Sequence, residues 1–196
     1  MSELSRRDVL RGIALSATLG NVSAEAAQHV HGMAAAEKAS TGAYKPKAFT
    51  SHEFLTLQKL AGYIVPADEK SPSGVDAGCA DFIDLLASQN PELANIYTGG
   101  IFWLDGEMQR RYGASFVNSK PADQTAMLNL IAYRKNQSPE LGPGISFFDW
   151  ARKMVVDAFY TSPTGIKDLG YVGNTAVSKF EIPQNAIDYA LKRSPV

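Results

Sequence analysis

The sequence contains few of the residues that carry redox or metal chemistry. Cys79 is the single cysteine among 196 residues, which excludes an intrachain disulfide, an iron–sulfur cluster and a c-type haem attachment site. Three histidines, His29, His31 and His52, leave few options for a transition-metal site or a histidine-dependent triad. Gly-x-Gly-x-x-Gly, P-loop and Gly-x-Ser-x-Gly motifs are also missing. These absences argue against a self-contained enzyme.

The sequence also lacks an excess of either charge and a long apolar run. Nineteen Lys plus Arg stand against twenty Asp plus Glu, so no basic excess is present to neutralise the phosphates of a nucleic acid. No apolar run in the sequence reaches the ~20 residues that span a bilayer. With 45% hydrophobic and 20% charged residues, the composition is that of an ordinary globular protein, and the length suits one domain.

The first 26 residues have the anatomy of an export signal. A charged start precedes a mildly apolar stretch over residues 12–20, and small residues around Ala24 and Ala26 offer cleavage points. The start matches the twin-arginine pattern through Ser5, Arg6, Arg7, Val9 and Leu10. We therefore predict a twin-arginine signal peptide over residues 1–26 and a periplasmic location. The alternative is a cytoplasmic amphipathic helix that happens to hold two arginines.

The remaining sequence predicts an all-α fold. Residues 27–48 show no periodic apolar pattern and are predicted to form a flexible arm. Residues 49–196 are predicted to form a single helical domain of five to six helices with long Gly- and Pro-containing loops. The predicted helices run from about 50 to 65, 75 to 89, 91 to 113, 120 to 135, 146 to 161 and 184 to 192. A Gly- and Pro-containing loop is predicted over residues 162–174, with room for a short extended piece over residues 171–180.

Helix signals in the sequence support several of these boundaries. Thr50 and Glu53 have the spacing of a capping box, and Asn90 before Pro91 is a typical cap and first turn. Gly113 is a plausible C-terminal stop.

Few side chains qualify as candidates for chemistry. His29 and His31 could bind a metal from the arm, but a solvated arm is favoured because a firm site needs three or four ligands. His52 is predicted to lie near a helix cap at the surface. Asp81 and Asp84 are predicted to lie on a solvated helix face. Cys79 is either a buried thiol, which its apolar neighbours favour, or one half of a disulfide to another chain.

Short motifs follow one another in order over about residues 50–175. The C-terminal motifs are Tyr160-Thr-Ser-Pro-Thr-Gly165, Asp168-Leu-Gly-Tyr171 and Gly173-Asn174. The upstream motifs are Ile64-Val-Pro-Ala-Asp68, Ser71-Pro-Ser-Gly-Val75, Gly78-Cys-Ala-Asp-Phe-Ile-Asp84, Gly100-Ile-Phe-Trp-Leu-Asp105 and Tyr112-Gly-Ala-Ser-Phe116. Together these motifs resemble the gluconate 2-dehydrogenase subunit 3 family, of which the twin-arginine signal is also typical.

The resemblance implies a small subunit with no catalytic, cofactor-binding or metal-binding residues of its own. Its partner would be a large FAD-containing subunit of the glucose–methanol–choline type that oxidises a sugar or sugar acid. A c-type cytochrome often accepts the electrons in such complexes, and would associate the complex with the membrane. The large subunit commonly lacks a signal, so the small subunit would escort it, already folded, through the twin-arginine translocase.

Aromatic and loop residues are the candidates for contact with such a partner. Phe147, Phe148 and Trp150 cannot all face one side of a helix, so at least one should reach the surface. Glycine and proline in the C-terminal tract can shape a loop that docks on another chain, or one that packs on its own domain. The interface candidates are Trp150, Tyr160, Pro163, Gly165, Leu169, Gly170, Tyr171, Gly173 and Asn174. Two alternatives remain, a free-standing periplasmic enzyme and a ligand- or metal-binding helical protein.

Overall fold

The computed structural model describes residue 13 and residues 23–170 and 181–193. Within these residues the fold contains helices and no strand, which confirms the predicted all-α class. The helices of residues 23–193 are α1 (Ala24–Thr41), α2 (Ser51–Ile64), α3 (Cys79–Ala87), α4 (Pro91–Tyr112), α5 (Pro121–Ile131), α6 (Gly142–Thr161), α7 (Pro163–Asp168) and α8 (Gln184–Arg193). Single 3-10 turns lie at Phe116–Asn118 and Arg134–Asn136.

Helix α6 is the centre of the domain. It packs against α1, α2, α3, α4, α5 and α7, and its apolar stripe is buried along its whole length. Two glycines allow α4 and α6 to approach closely. A Cβ on Gly100 of α4 would lie 2.0 Å from the Phe147 ring, and a Cβ on Gly144 of α6 would lie 2.0 Å from the Trp103 ring. Each helix therefore places an aromatic ring on a glycine of the other.

Several helix ends predicted from local sequence are confirmed. The Thr50 side chain accepts from the Glu53 amide, and the Glu53 carboxylate accepts from the Thr50 amide, which completes a capping box. Asn90 caps α4 through the amides of its first turn, and Pro91 is the first helical residue. Gly113 ends α4 with a φ of 76°. The last helix was predicted from Gln184 and begins there.

Two predicted helix starts are wrong by four residues. Helix α3 begins at Cys79 rather than Val75, because residues 75–78 form a turn that ends on Gly78 in the left-handed region. Helix α6 begins at Gly142 rather than Ser146, with Pro143 in its first turn. The tract predicted as a loop over residues 162–174 contains the short helix α7, capped by the Ser162 hydroxyl.

The predicted flexible arm is also wrong. Residues 24–41 form α1, in which Val30 is fully buried and Ala27 nearly so. Ser23 caps the helix through a hydrogen bond from the Ala26 amide, so the predicted cleavage point after Ala26 lies in the first turn. The buried residues of α1, Ala27, Val30 and Ala34, are small and lie three and four positions apart. They bury one face of the helix without the large apolar residues by which such a face is usually predicted. Ser5, Arg6, Arg7, Val9 and Leu10 of the predicted signal, and the possible extended piece over residues 171–180, lie outside the described residues.

Candidate partner interface

A buried carboxylate attaches the segment after α1 to the domain. Asp84 has no solvent exposure, and its oxygens accept hydrogen bonds from the Tyr44 hydroxyl at 2.8 Å and from three consecutive backbone amides. These amides belong to Lys47, Ala48 and Phe49, at 2.8 to 3.0 Å. Four donors around one carboxylate compensate for its removal from water. The prediction of a solvated face is therefore wrong for Asp84.

Asp81 is the second carboxylate for which that prediction is wrong. Its side chain is 5% exposed and contacts the Lys38 ammonium of α1 at 2.5 Å. Burial raises the pKa of Asp81, and the hydrogen bond and charge of Lys38 act in the opposite direction. The ion pair joins α1 to α3.

The His31 ring turns inward from α1. Its centroid lies 4.7 Å from that of Phe82, and its Nε2 lies 3.3 Å from the Thr161 hydroxyl oxygen. Burial lowers the pKa of His31, since a charged imidazolium is poorly solvated there. His29 is exposed and lies two residues earlier, so the two rings project about 200° apart on the helix. The described part of the chain contains no group of three or more His, Cys, Asp or Glu residues that could hold a metal ion.

The remaining chemistry candidates occupy structural positions. Cys79 is fully buried with its Sγ 3.6 Å from the Val155 carbonyl oxygen, and burial raises the pKa of the thiol to about 12. The buried-thiol interpretation is confirmed, because a thiol in this position is neither ionised nor accessible to another chain. His52 lies at the surface as predicted, with its Nε2 2.5 Å from the Asp105 carboxylate.

One exposed apolar surface is a groove between α1 and α7, which we call the α1–α7 groove. It has a volume of about 470 Å³. Small residues of α1, including Gly32 and Ala35, form one wall, and Pro163 with Ile166 of α7 form the other. The Lys38–Asp81 ion pair lines the same groove. The groove is therefore apolar with a charged end.

Some interface candidates of the C-terminal tract are exposed, and one of them is buried inside the domain. Pro163 lines the α1–α7 groove, and Leu169 is 60% exposed at the end of α7. Gly165 is buried, and a Cβ there would lie 2.0 Å from the Phe159 carbonyl oxygen, so it is required for packing within the domain. Gly170 ends α7 at a φ of 63° and is exposed, as is Tyr160. Tyr171, Gly173 and Asn174 lie outside the described residues.

The second exposed apolar surface lies where α4 crosses α6, and we call it the α4–α6 face. Trp103 of α4 and Pro143 and Trp150 of α6 line a groove of about 340 Å³. Gly99 lines the same groove, and Phe102, less than one turn further along α4, is 83% exposed. Trp150 is thus the residue of its aromatic cluster that reaches the surface, while Phe147 and Phe148 are buried.

Phe102 is not among the interface residues predicted from the sequence. The available signal was its position opposite the buried stripe of α4, between Gly99 and Gly106. A Cβ at either glycine would meet no described atom within 4 Å, so the packing of the described residues does not require them. Each glycine in a helix interior costs about 1 kcal/mol relative to alanine. Neither glycine carries a side chain that could cover Phe102 from its own helix.

A comparison with models of known protein families gives a match. The family model of gluconate 2-dehydrogenase subunit 3 matches residues 51–178, which include α2 through α7 and both apolar surfaces except for the α1 wall of the groove. No curated protein and no solved structure shows significant similarity to the chain. Among the described helices, none has both the length and the apolar character required to cross a membrane.

Proposed function

The chain belongs to the gluconate 2-dehydrogenase subunit 3 family, and we propose that it is the non-catalytic small subunit of a periplasmic FAD-dependent sugar or sugar-acid dehydrogenase. The family name describes a subunit of a dehydrogenase complex, so a second chain that carries the chemistry is expected. In the proposal this chain binds a large flavoprotein of the glucose–methanol–choline type, stabilises it and escorts it through twin-arginine export. FAD is held by the large subunit, and a c-type cytochrome receives the electrons.

The exposed Phe102, which lies on α4 beside the α4–α6 face, is the observation that best supports a docking role. An aromatic side chain with 83% of its surface in water is unfavourable in an isolated domain, and aromatic residues are enriched in the buried centres of protein interfaces. The groove beside it, lined by Trp103 and Trp150, offers a place for an apolar side chain of the partner. Binding of the large subunit would cover this surface.

Co-expression with the large subunit tests this proposal. We expect a tagged chain to retain the FAD-containing subunit from the periplasm, and Phe102→Ser to lower that retention at least tenfold. Tyr133→Ser is the matched control, because Tyr133 is an aromatic residue with 53% exposure outside both surfaces. If the wild-type chain retains no flavoprotein, the subunit assignment is wrong. If Phe102→Ser retains as much as wild type, the surface of α4 at Phe102 is not the docking surface.

Export is tested through the arginine pair. Arg6→Lys combined with Arg7→Lys should leave this chain and the dehydrogenase activity of its partner in the cytoplasm. Fractionation with an activity assay measures the outcome. A partner that still reaches the periplasm in this variant would contradict the escort role while leaving the subunit role intact.

Ligand binding is the second candidate function, and the α1–α7 groove is the observation that favours it. Its volume of about 470 Å³ lies in the range of small-molecule sites, and its apolar walls end at an ion pair. Native mass spectrometry of the chain purified alone would reveal a bound small molecule. A chain that is purified empty and binds the flavoprotein would contradict this candidate.

A further inference from the structure

The first turn of α1 contains both cleavage points that the sequence offers for removal of the predicted export signal. These points follow Ala24 and Ala26, and α1 begins at Ala24. The Ser23 hydroxyl accepts a hydrogen bond from the Ala26 amide at 3.2 Å, and the Ser23 carbonyl oxygen accepts one from the Ala27 amide at 2.9 Å. Ala27 is 1% exposed. Both peptide bonds therefore lie in a capped turn that is packed on the domain.

Cleavage at either point would destabilise the start of α1. A cut after Ala24 removes Ser23 and leaves the amides of the first turn without their cap. A cut after Ala26 makes Ala27 the new terminus, so its charged ammonium group would lie at a position that is nearly closed to water. Either cut also places a positive charge at the positive end of the helix dipole. The domain is therefore more stable with this turn intact.

The same turn limits the access of a protease. Proteolysis favours exposed loops and chain that is locally unfolded. In the proposed function, on which this step rests, the chain is exported already folded, so the protease that removes a signal would meet α1 already formed. To extend the chain through residues 24–27, Ala27 would have to leave the core and break its hydrogen bond to Ser23.

An apolar residue upstream of both cleavage points is also part of the domain. Ile13 lies in the mildly apolar stretch over residues 12–20 of the predicted signal, and it is 8% exposed. It belongs to the same cluster of buried apolar residues as Val30 and Ala34 of α1. Removal of residues 1–26 would take this side chain out of the cluster, and burial of an isoleucine side chain stabilises a fold. Ile13 thus gives a second reason, independent of the turn, for the predicted signal to stay attached.

We propose that the folded chain is not cleaved after Ala24 or Ala26, and that Ile13 is retained as a structural residue of the domain. The first 26 residues then have two successive roles. Their arginine pair directs export, which belongs to the proposed function. Afterwards Ser23 caps α1 and Ile13 occupies its place in the apolar cluster, which is the new inference.

The N-terminus of the exported chain tests the proposal directly. The full-length chain with a C-terminal tag is purified from the periplasm, and its intact mass and N-terminal sequence are measured. We expect nearly all of it to contain Ile13, whereas an unrelated twin-arginine precursor exported by the same cells serves as the control and should be processed. A periplasmic chain that begins at any residue after Ile13 overturns the inference. If no chain reaches the periplasm, the export part of the proposed function is wrong, and the stability measurement decides the inference.

Thermal unfolding of full-length chains purified from the cytoplasm provides that measurement without export. Ile13→Ser should lower the midpoint by at least about 4 °C, because it removes a buried aliphatic side chain. Ile182→Ser is the matched control, since Ile182 is 55% exposed, and it should stay within about 1 °C of wild type. Equal midpoints for the two variants would overturn the inference.

Two shortened chains separate the contribution of Ile13 from that of the cap. A chain that begins at Ser23 keeps the cap and lacks Ile13, so its midpoint should fall about as far as that of Ile13→Ser. A chain that begins at Ala27 also lacks the cap and should unfold a further 2 to 4 °C lower, with the larger shift for a cap worth more than about 1 kcal/mol. A chain from Ala27 that is as stable as the full-length chain would contradict the proposal.

Discussion

Helices α1 and α8 both lie outside the family-matched residues 51–178, at opposite ends of the described chain, and they differ in almost every physical respect. Helix α1 has no large apolar stripe, yet Val30 is fully buried and the helix packs against α3 and α6. Helix α8 has a clearly segregated apolar face, yet none of its residues is buried against the described chain. An amphipathic pattern therefore does not decide whether a helix packs on its own domain.

Specific contacts attach α1. Lys38 pairs with Asp81, and the His31 ring packs on Phe82. Beyond the end of the helix, Asp84 binds the backbone of residues 47–49 and the Tyr44 hydroxyl. These contacts reach across 35 to 51 positions of sequence, and no described counterpart exists for α8. The stability of the domain should therefore depend on the α1 contacts and be nearly independent of α8.

The largest difference in the free energy of unfolding is expected between two aspartate variants, one in each region. Asp84→Ala leaves four buried or partly buried donors without their acceptor, which should lower the free energy of unfolding by about 3 to 5 kcal/mol. Asp188→Ala in α8 is the control and should change it by less than about 0.5 kcal/mol. Urea denaturation measures both. Equal effects would show that Asp84 is not the anchor of the segment after α1.

Apolar truncations give the next largest difference. Val30→Ala removes two buried methyl groups, and we expect a loss of about 2 kcal/mol in the free energy of unfolding. Ile187→Ala removes a larger group, but one that is only partly buried, and should cost less in the free chain than Val30→Ala. Thermal unfolding of the two variants provides the comparison. A larger loss for Ile187→Ala would mean that α8 packs on its own domain.

Acidification is expected to have a smaller effect on the stability of the α1 region. The folded pKa of His31 lies below its unfolded value of 6.5, so its unfolded form binds more protons between the two values. The contribution of neutral His31 is therefore fully present above pH 6.5 and is lost as pH falls through this window. The protection factors of the α1 amides, in which the intrinsic pH dependence of amide exchange is removed, should fall on acidification below pH 6.5, and His31→Gln should abolish that fall. The protection factors of the α8 amides should not fall in this pH range.

The smallest effect is expected from removing α8. A chain that ends at residue 180 should have the free energy of unfolding of wild type within about 0.5 kcal/mol, because no residue of α8 is buried in the described structure. Urea denaturation measures the difference, and a larger loss of stability would indicate that α8 belongs to the domain itself.

Local signals explain which features could be predicted from the sequence. The capping box at Thr50, the proline after Asn90 and the glycine at Gly113 each act within a few residues, so the helix ends that they define were predicted correctly. The start of α3 was predicted four residues too early, because Val75 in the turn before α3 continues the spacing of the apolar residues of that helix. Most of the interface candidates were described, but Gly165 is packed inside the domain, and Phe102 became visible only from its exposure.

The sequence by itself determined the helical class, the principal helix ends and the scarcity of catalytic and metal-ligating side chains, because composition, capping and periodicity are properties of neighbouring residues. Only the tertiary structure decided which helices are packed, which carboxylates are buried and which aromatic rings remain in water. Asp84 and Asp188 are both helical carboxylates in the sequence, and distant backbone amides make one of them a structural anchor. Burial depends on contacts between residues far apart in the chain, and no local pattern specifies their partners.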